Sequence, residues 1–190
     1  MVFHRKDNVM SEDALKGRTI AFLVATEGIE QAELTGPWDA VEDAGGSPVL
    51  LSTEEGKVQA YNHLDKADTF AVDSAVSDAD PTSYDGLVLP GGVANGDQLR
   101  MSSDAVDFVR SFVASGKPVA AICHAIWALV EADVVRDRTL TSWPSLQTDV
   151  RNAGGTWVDE EVVVDDNLVT SRKPDDIPAF NREFTRKFAA

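Results

Sequence analysis

The stretch "KPVAAICHAIWALVEADVV" (117–135) joins two patterns at the one cysteine of the chain. Residues 117–122 form a short apolar run, which is typical of a buried β-strand, and the residues after Cys123 repeat apolar side chains at helical spacing. A strand that leads into a helix is the repeating unit of α/β proteins. The stretch therefore predicts a strand, a tight turn at Cys123 and a helix.

The rest of the chain repeats this alternation of strands and helices. Strands are predicted for "TIAFLVA" (19–25), "PVLLS" (48–52), "YDGLVLPGG" (84–92) and parts of "TWVDEEVVVDDNLVTSR" (156–172), and edge hairpins with loops for residues 53–80. Helices are predicted before Gly45–Gly46 and for "DAVDFVRSFVASG" (104–116), "PSLQTDVRNAGG" (144–155) and "PDDIPAFNREFTRKF" (174–188). The pattern predicts one α/β domain over residues 19–190 with a mainly parallel sheet, preceded by a polar extension over residues 1–18.

Charge and composition narrow the classes of partner. The formal net charge of −15 arises from 32 acidic against 17 basic residues. Such a surface repels phosphate backbones and anionic lipid, so we expect no nucleic acid and no membrane partner. No apolar run approaches the roughly 18 residues of a membrane span, and the first residues lack the apolar stretch of a secretory signal. A single cysteine precludes an internal disulfide, and we expect a cytoplasmic protein.

Three predicted strand ends carry residues suited to chemistry. They are Glu27–Gly28–Ile29–Glu30, Pro90–Gly91–Gly92 and Cys123–His124. In open α/β sheets, sites form beyond the carboxyl ends of the strands, so these three segments are expected to converge.

Cys123 and His124 are a candidate nucleophile and general base. A thiol at a strand-to-helix turn is presented above the sheet, and the helix N-terminus is expected to lower its pKa. The alternative for Cys123 is a buried structural cysteine, and for His124 a capping or surface histidine. No H-E-x-x-H or paired-cysteine spacing occurs, so we expect neither a metal site nor a cofactor.

Two further features belong to this predicted site. A protonated carboxyl beside the thiol would donate a hydrogen bond to it, and Glu30, Glu27 and Glu33 are all available for that place. The glycines at 91 and 92 allow close backbone approach and can aim N–H groups at an oxyanion.

The same segments carry a family resemblance over about residues 19–188. The matching stretches are "GIEQAELTGPWDAVEDAG", "YDGLVLPGG", "GKPVAAICHA" and "LTSWPSLQTDVRNAGGTWVDEEVVVDDNLVTSRKPDDIPAF". They resemble the intracellular protease I (PfpI) family, within the wider superfamily of the parkinsonism-associated deglycase and the class I glutamine amidotransferases. The resemblance implies a flavodoxin-like three-layer sandwich, with helices on both faces of the sheet, and a homodimer or larger homo-oligomer.

The resemblance also implies roles for individual residues. Cys123 takes the nucleophile position, and the G-I-E-Q-x-E-L frame assigns to Glu30 the carboxyl that touches it. His124 is the histidine of the triad, and Asp97 of a neighbouring subunit is its acidic third member. The oxyanion hole is formed by the backbone amides of Gly92 and His124.

The chain also departs from its relatives. Many of them read C-H-G-P where this chain has Ala125 and Ile126 after the histidine, so these two residues are expected to alter the pocket wall. Asp97 is one methylene shorter than the glutamate of some members. A glutamine amidotransferase triad within one chain is not available, because no histidine follows His124.

We therefore expect a stress-related enzyme in which the Cys123 thiolate attacks a carbonyl group. The resemblance implies a peptide, a glyoxal-type aldehyde or an early glycation adduct as substrate. Two alternatives remain open. One is a redox sensor that acts through oxidation of Cys123 without turnover, and the other is a holdase-like chaperone.

Overall fold

Continuous apolar strands need cover on both faces, and the computed structural model, which describes residues 12–190, provides it. The strands are β1 (Thr19–Val24), β2 (Glu27–Glu30), β3 (Ser47–Ser52), β4 (Lys57–Asn62), β5 (Asp65–Ala71), β6 (Ser74–Ala75), β7 (Gly86–Leu89), β8 (Val119–Ile122), β9 (Thr139–Leu140), β10 (Thr156–Trp157), β11 (Val162–Asp165) and β12 (Leu168–Ser171). The helices are α1 (Gln31–Asp43), α2 (Val93–Met101), α3 (Ser103–Ala114), α4 (Ile126–Glu131), α5 (Gln147–Asn152) and α6 (Ile177–Ala189).

The central sheet has seven strands in the order β11-β12-β8-β7-β1-β3-β6. All neighbouring pairs are parallel except β11–β12, which is an antiparallel hairpin. A separate three-stranded sheet, β2-β4-β5, contains the hairpin predicted within residues 53–80. The prediction of a mainly parallel α/β sheet is thereby confirmed.

Alternation along β1 shows why the fold has three layers. Ile20, Phe22 and Val24 pack into one core with residues of α1 and α6, whereas Ala21 and Leu23 pack into a second core with residues of α3 and α4. Both sets of side chains are fully buried. Each face of the sheet thus has its own helical layer, as the resemblance implied.

The predicted elements are found close to their expected positions, with three additions, of which one is the short strand β9. The other two, β2 and α2, border the strand ends discussed below. The described part of the N-terminal segment, residues 12–18, packs against the domain, because Leu15 is fully buried and its N–H donates to the carbonyl of Ala44 at 2.7 Å. The boundary between residues 18 and 19 stays a prediction.

Strand order brings the three predicted strand ends together. β8, β7 and β1 are adjacent in the sheet, so their carboxyl ends lie side by side. Within residues 12–190, no helix combines the length and apolarity needed to cross a membrane.

Candidate active site

Cys123 lies on a strained turn between β8 and α4. Its φ of 64° is in the left-handed region, which costs a non-glycine residue about 1–3 kcal/mol. One 3-10 turn, Cys123–Ala125, separates the strand from the helix, and the Trp143 N–H donates to the Cys123 carbonyl at 3.3 Å. The side chain is 5% exposed. The fold thus holds the thiol at a sharp strand-to-helix turn, as a nucleophile requires.

His124 lies beside the thiol in an aromatic cage. Its Nδ1 is 3.2 Å from the Cys123 Sγ, and its ring centroid is 5.2 Å from that of Trp127 and 5.6 Å from that of Trp143. Burial lowers the pKa of His124 to about 4. The imidazole is therefore neutral near pH 7 and can accept a hydrogen bond from the thiol.

The carboxyl beside the thiol is that of Glu33, which corrects the assignment of this place to Glu30. Glu30 precedes α1, and its Oε2 accepts the His63 backbone N–H at 3.1 Å. Glu33 lies in the first turn of α1 and shares a buried stripe with Pro37 and Val41. That stripe faces the sheet, so it turns the Glu33 carboxyl towards Cys123. The helical spacing of Glu33, Pro37 and Val41 is the sequence signal that could have distinguished Glu33 from Glu30.

The environment of Glu33 keeps it protonated. The carboxyl is fully buried, and the Cys123 thiol and the Gly91 N–H lie against it without the alignment of regular hydrogen bonds. Burial, reinforced by the negative charge of Glu30, raises the pKa of Glu33 to about 8. At neutral pH the carboxyl can therefore donate its proton to the sulfur, which is the role predicted for Glu30.

The thiol itself is less acidic than expected. Burial, and then the negative charge of Glu33 when it ionises, raise the pKa of Cys123, whereas the N–H groups of Gly92 and His124 oppose that rise. The prediction of a lowered pKa at a helix N-terminus is wrong, because a short 3-10 turn follows the cysteine and desolvation outweighs its dipole.

The Pro-Gly-Gly turn approaches the thiol as closely as the residue types allow. A Cβ at Gly91 would collide with the Glu33 carboxyl and the Cys123 Cβ, and one at Gly92 would collide with the Gly28 carbonyl. Gly92 also has a φ of 105°. This close approach aims the Gly92 N–H at the sulfur, next to the N–H of His124. The same two N–H groups were predicted to form the oxyanion hole, and that role stays a prediction.

Asn95 is a positioning residue that sequence reasoning missed. Its side chain is fully buried in α2, and its Nδ2 donates to the carbonyls of Pro90 and Gly91 at 2.8 and 3.1 Å. Its Oδ1 accepts the Ala25 N–H at 2.7 Å. One amide thus ties the end of β1 to the Pro-Gly-Gly turn. No sequence signal distinguished Asn95 from an ordinary turn residue.

A cavity of about 690 Å³ opens above the thiol. Its lining includes Cys123, His124, Glu30, Glu33 and Gly92 together with Glu27, Tyr61, His63, Leu64, Asp97, Trp127 and Trp143. Asp97 is exposed there, so it lines the cavity of its own chain.

Ala125 and Ile126 are absent from the cavity wall, which corrects the prediction that they shape it. Both are fully buried and pack into the core shared with α3 and α4. The turn at Cys123 directs them inward, and Trp127 and Trp143 form the wall instead. Within residues 12–190, no cluster of three His, Cys, Asp or Glu side chains could hold a metal ion.

Comparison with known proteins gives matches over nearly the whole domain. The model of the DJ-1/PfpI family matches residues 18–187. "Protein/nucleic acid deglycase 2" of Escherichia coli is 43% identical over 174 residues, which cover 91% of this chain and 99% of that protein. A candidate cysteine protease of Bacillus subtilis is 42% identical and covers 87% of this chain and 95% of its own length. The crystal structure of Drosophila melanogaster DJ-1beta superposes with a TM-score of 0.79 at 28% identity, covering 90% of each chain.

Proposed function

Because the chain belongs to the DJ-1/PfpI family, we propose that it is a cysteine-dependent enzyme in which Cys123 attacks a carbonyl carbon. The observation that carries the proposal is the position of the Cys123 sulfur. It lies 3.2 Å from a neutral His124 imidazole, against a protonated Glu33, at a strained turn beneath a cavity. A buried cysteine that serves packing alone needs none of these four features.

The residues suit a sequence of proton transfers around one covalent bond. The thiol proton passes to Nδ1 of His124 as the sulfur bonds to the carbonyl carbon. The carbonyl π electrons move to the oxygen, where the N–H groups of Gly92 and His124 can stabilise the negative charge. Because burial keeps the pKa of His124 at about 4, the imidazolium is short-lived and returns the proton to the oxygen or to a leaving amine. Glu33 holds the sulfur throughout.

The substrate proposed is a small reactive aldehyde or its early adduct on an amine. A cavity of about 690 Å³ suits a small molecule or a single side chain. The test is steady-state kinetics of the wild type and Cys123→Ala with methylglyoxal, a methylglyoxal-treated amine, casein and a fluorogenic peptide. Turnover of the first two that needs Cys123 is expected. Turnover of casein or peptide alone would make the protein a peptidase, and no Cys123-dependent turnover would leave a redox or chaperone role.

The oligomeric state and the cellular setting are part of the same proposal. We propose a homodimer or larger homo-oligomer in the cytoplasm, with a role in stress. Asp97 is proposed as the acidic partner of His124, contributed by a neighbouring subunit. Its exposed place at the cavity rim is compatible with a contact across an interface.

A further inference from the structure

We propose that the rim of the cavity above Cys123 selects carbonyl compounds that carry a positive charge, with Glu27 and Asp97 setting this preference. The inference rests on the proposed function, since it names the charge class of substrate that the same site accepts. The favoured substrates are carbonyl compounds that bear a separate ammonium or guanidinium group, and carbonyl compounds bearing phosphate or carboxylate groups are disfavoured.

The charged side chains that line the cavity are acidic. Glu27, Glu30, Glu33 and Asp97 line it, and none of the described residues that line it is a lysine or an arginine. Glu33 is neutral at the floor, so three carboxylates remain around the opening. A cleft lined by one sign of charge concentrates ligands of the opposite sign by about 10–10³-fold.

Neighbouring basic groups do not cancel these carboxylates. His63 contacts Glu30 through its backbone N–H and through Nδ1, which lies 3.6 Å from Oε2. Arg100 lies over the Trp127 ring at 5.6 Å, but it pairs with Glu131 at 3.1 Å. Glu27 and Asp97 have no ion pair within the described part of the chain, and both are exposed. They are therefore the free negative charges of the rim.

The aromatic wall fits the same class of ligand. Trp143 is 37% exposed although its ring stacks on His124, so part of the indole is open to the cavity. Tyr61 also lines the space, whereas the ring of Trp127 already carries the Arg100 guanidinium. Aromatic faces attract ammonium and guanidinium groups and offer nothing comparable to a phosphate. The wall and the rim thus favour the same sign of charge.

The first test measures turnover of three substrates that share the same reacting carbonyl group and differ in the charge of a distant substituent. The probes are phenylglyoxals with a para trimethylammonium, hydrogen or carboxylate substituent, compared by kcat/KM at low and high salt. We expect the cationic probe to exceed the anionic one by about tenfold at low salt. The ratio should shrink at high salt, because exposed charges are screened. A ratio near one at low salt would overturn the inference while leaving the proposed function intact.

The second test measures the charge preference of the rim without requiring turnover. Cys123 is modified with methanethiosulfonates bearing a trimethylammonium, methyl or sulfonate group, and each rate is divided by that of free cysteine with the same reagent. Each reaction forms a mixed disulfide at Cys123 and releases methanesulfinate. The cationic reagent should be faster than the anionic one by about tenfold. That preference without glyoxal turnover would contradict the proposed enzyme and keep the rim selectivity.

Matched variants distinguish the effect of the rim carboxylates from the effect of the overall negative charge of the chain. Glu27→Gln and Asp97→Asn should each lower the cation-to-anion ratio of thiol modification about threefold. Glu55→Gln removes an equally exposed carboxylate that does not line the cavity, and it should leave the ratio unchanged. An equal fall in all three variants would mean that the overall net charge sets the preference. A thiol that none of the reagents modifies would overturn the inference.

Discussion

The buried carboxyl of Glu33 lies against the thiol of Cys123, and its pKa is raised to about 8. Two ionisable groups in such contact titrate as a pair. Loss of one proton gives either a carboxylate beside a thiol or a thiolate beside a carboxylic acid, and only the second form is nucleophilic. The N–H groups of Gly92 and His124 stabilise that second form, because both point at the sulfur. The reactivity of Cys123 therefore depends on where the pair keeps its remaining proton.

Replacing Glu33 should change the pH dependence of thiol reactivity. In the wild type, the rate of alkylation of Cys123 by iodoacetamide should rise with pH and bend near pH 8, where Glu33 becomes charged and opposes the thiolate. Glu33→Gln stays neutral at every pH, so the bend should disappear. Glu30→Gln is the control. Because the charge of Glu30 helps to raise the pKa of Glu33, this variant should keep the bend and move it to lower pH. A bend near pH 8 in Glu33→Gln would contradict the coupling.

Stability should fall as the pH rises from about 6.5 to 8. The folded-state pKa of Glu33, about 8, is above its ordinary value of 4.5, so the folded state retains a proton that the unfolded state has lost. His124, lowered from 6.5 to about 4, has the opposite effect and acts only below pH 6.5. Above that pH the Glu33 effect should lower the free energy of unfolding by about 2 kcal/mol by pH 8. Urea unfolding at both pH values should show this fall in the wild type and a flat response in Glu33→Gln.

The location of the site could be predicted because backbone topology determines it. Cys123 and Gly92 follow apolar runs that become neighbouring strands, and the carboxyl ends of parallel strands meet at one edge. The identity of the contacting carboxyl could not be predicted in the same way. Glu30 and Glu33 are three residues apart, so the residue at which α1 begins decides which of them faces the sheet.

Other errors arise from tertiary packing. Helix α2 contains Asn95, Gly96 and Asp97, which are poor helix formers, so local propensity did not indicate it. Its formation depends on contact, since a Cβ at Gly96 would collide with the carbonyl of His124. Ile126 was expected in the pocket wall because it closely follows Cys123 and His124, but the turn at Cys123 directs it into the core.

Gly92→Ala should lower both the free energy of unfolding and the rate at which Cys123 is alkylated. A Cβ there meets the Gly28 carbonyl, and the φ of 105° is strained for alanine, so we expect a loss of about 3 kcal/mol in the free energy of unfolding. The matched control is Gly116→Ala, where φ is 78° and nothing lies within 4 Å of the added carbon. This control should lower the free energy of unfolding by about 1–2 kcal/mol and leave the rate of alkylation of Cys123 unchanged. Equal losses of stability and of alkylation rate in the two variants would show that the close approach at Gly92 is unimportant.

The contribution of Asp97 across an interface can be tested by mixing two inactive variants. If Asp97 acts on the His124 of a neighbouring subunit, Cys123→Ala and Asp97→Asn subunits complement each other, because each mixed dimer has one site with both native residues. Unfolding and refolding an equal mixture should then restore about a quarter of wild-type activity. If Asp97 acts within its own chain, where it lines the same cavity as His124, no mixed site is complete and activity should not return. Sizing of the refolded mixture is the necessary companion measurement, because a monomeric protein rules out the contribution across an interface.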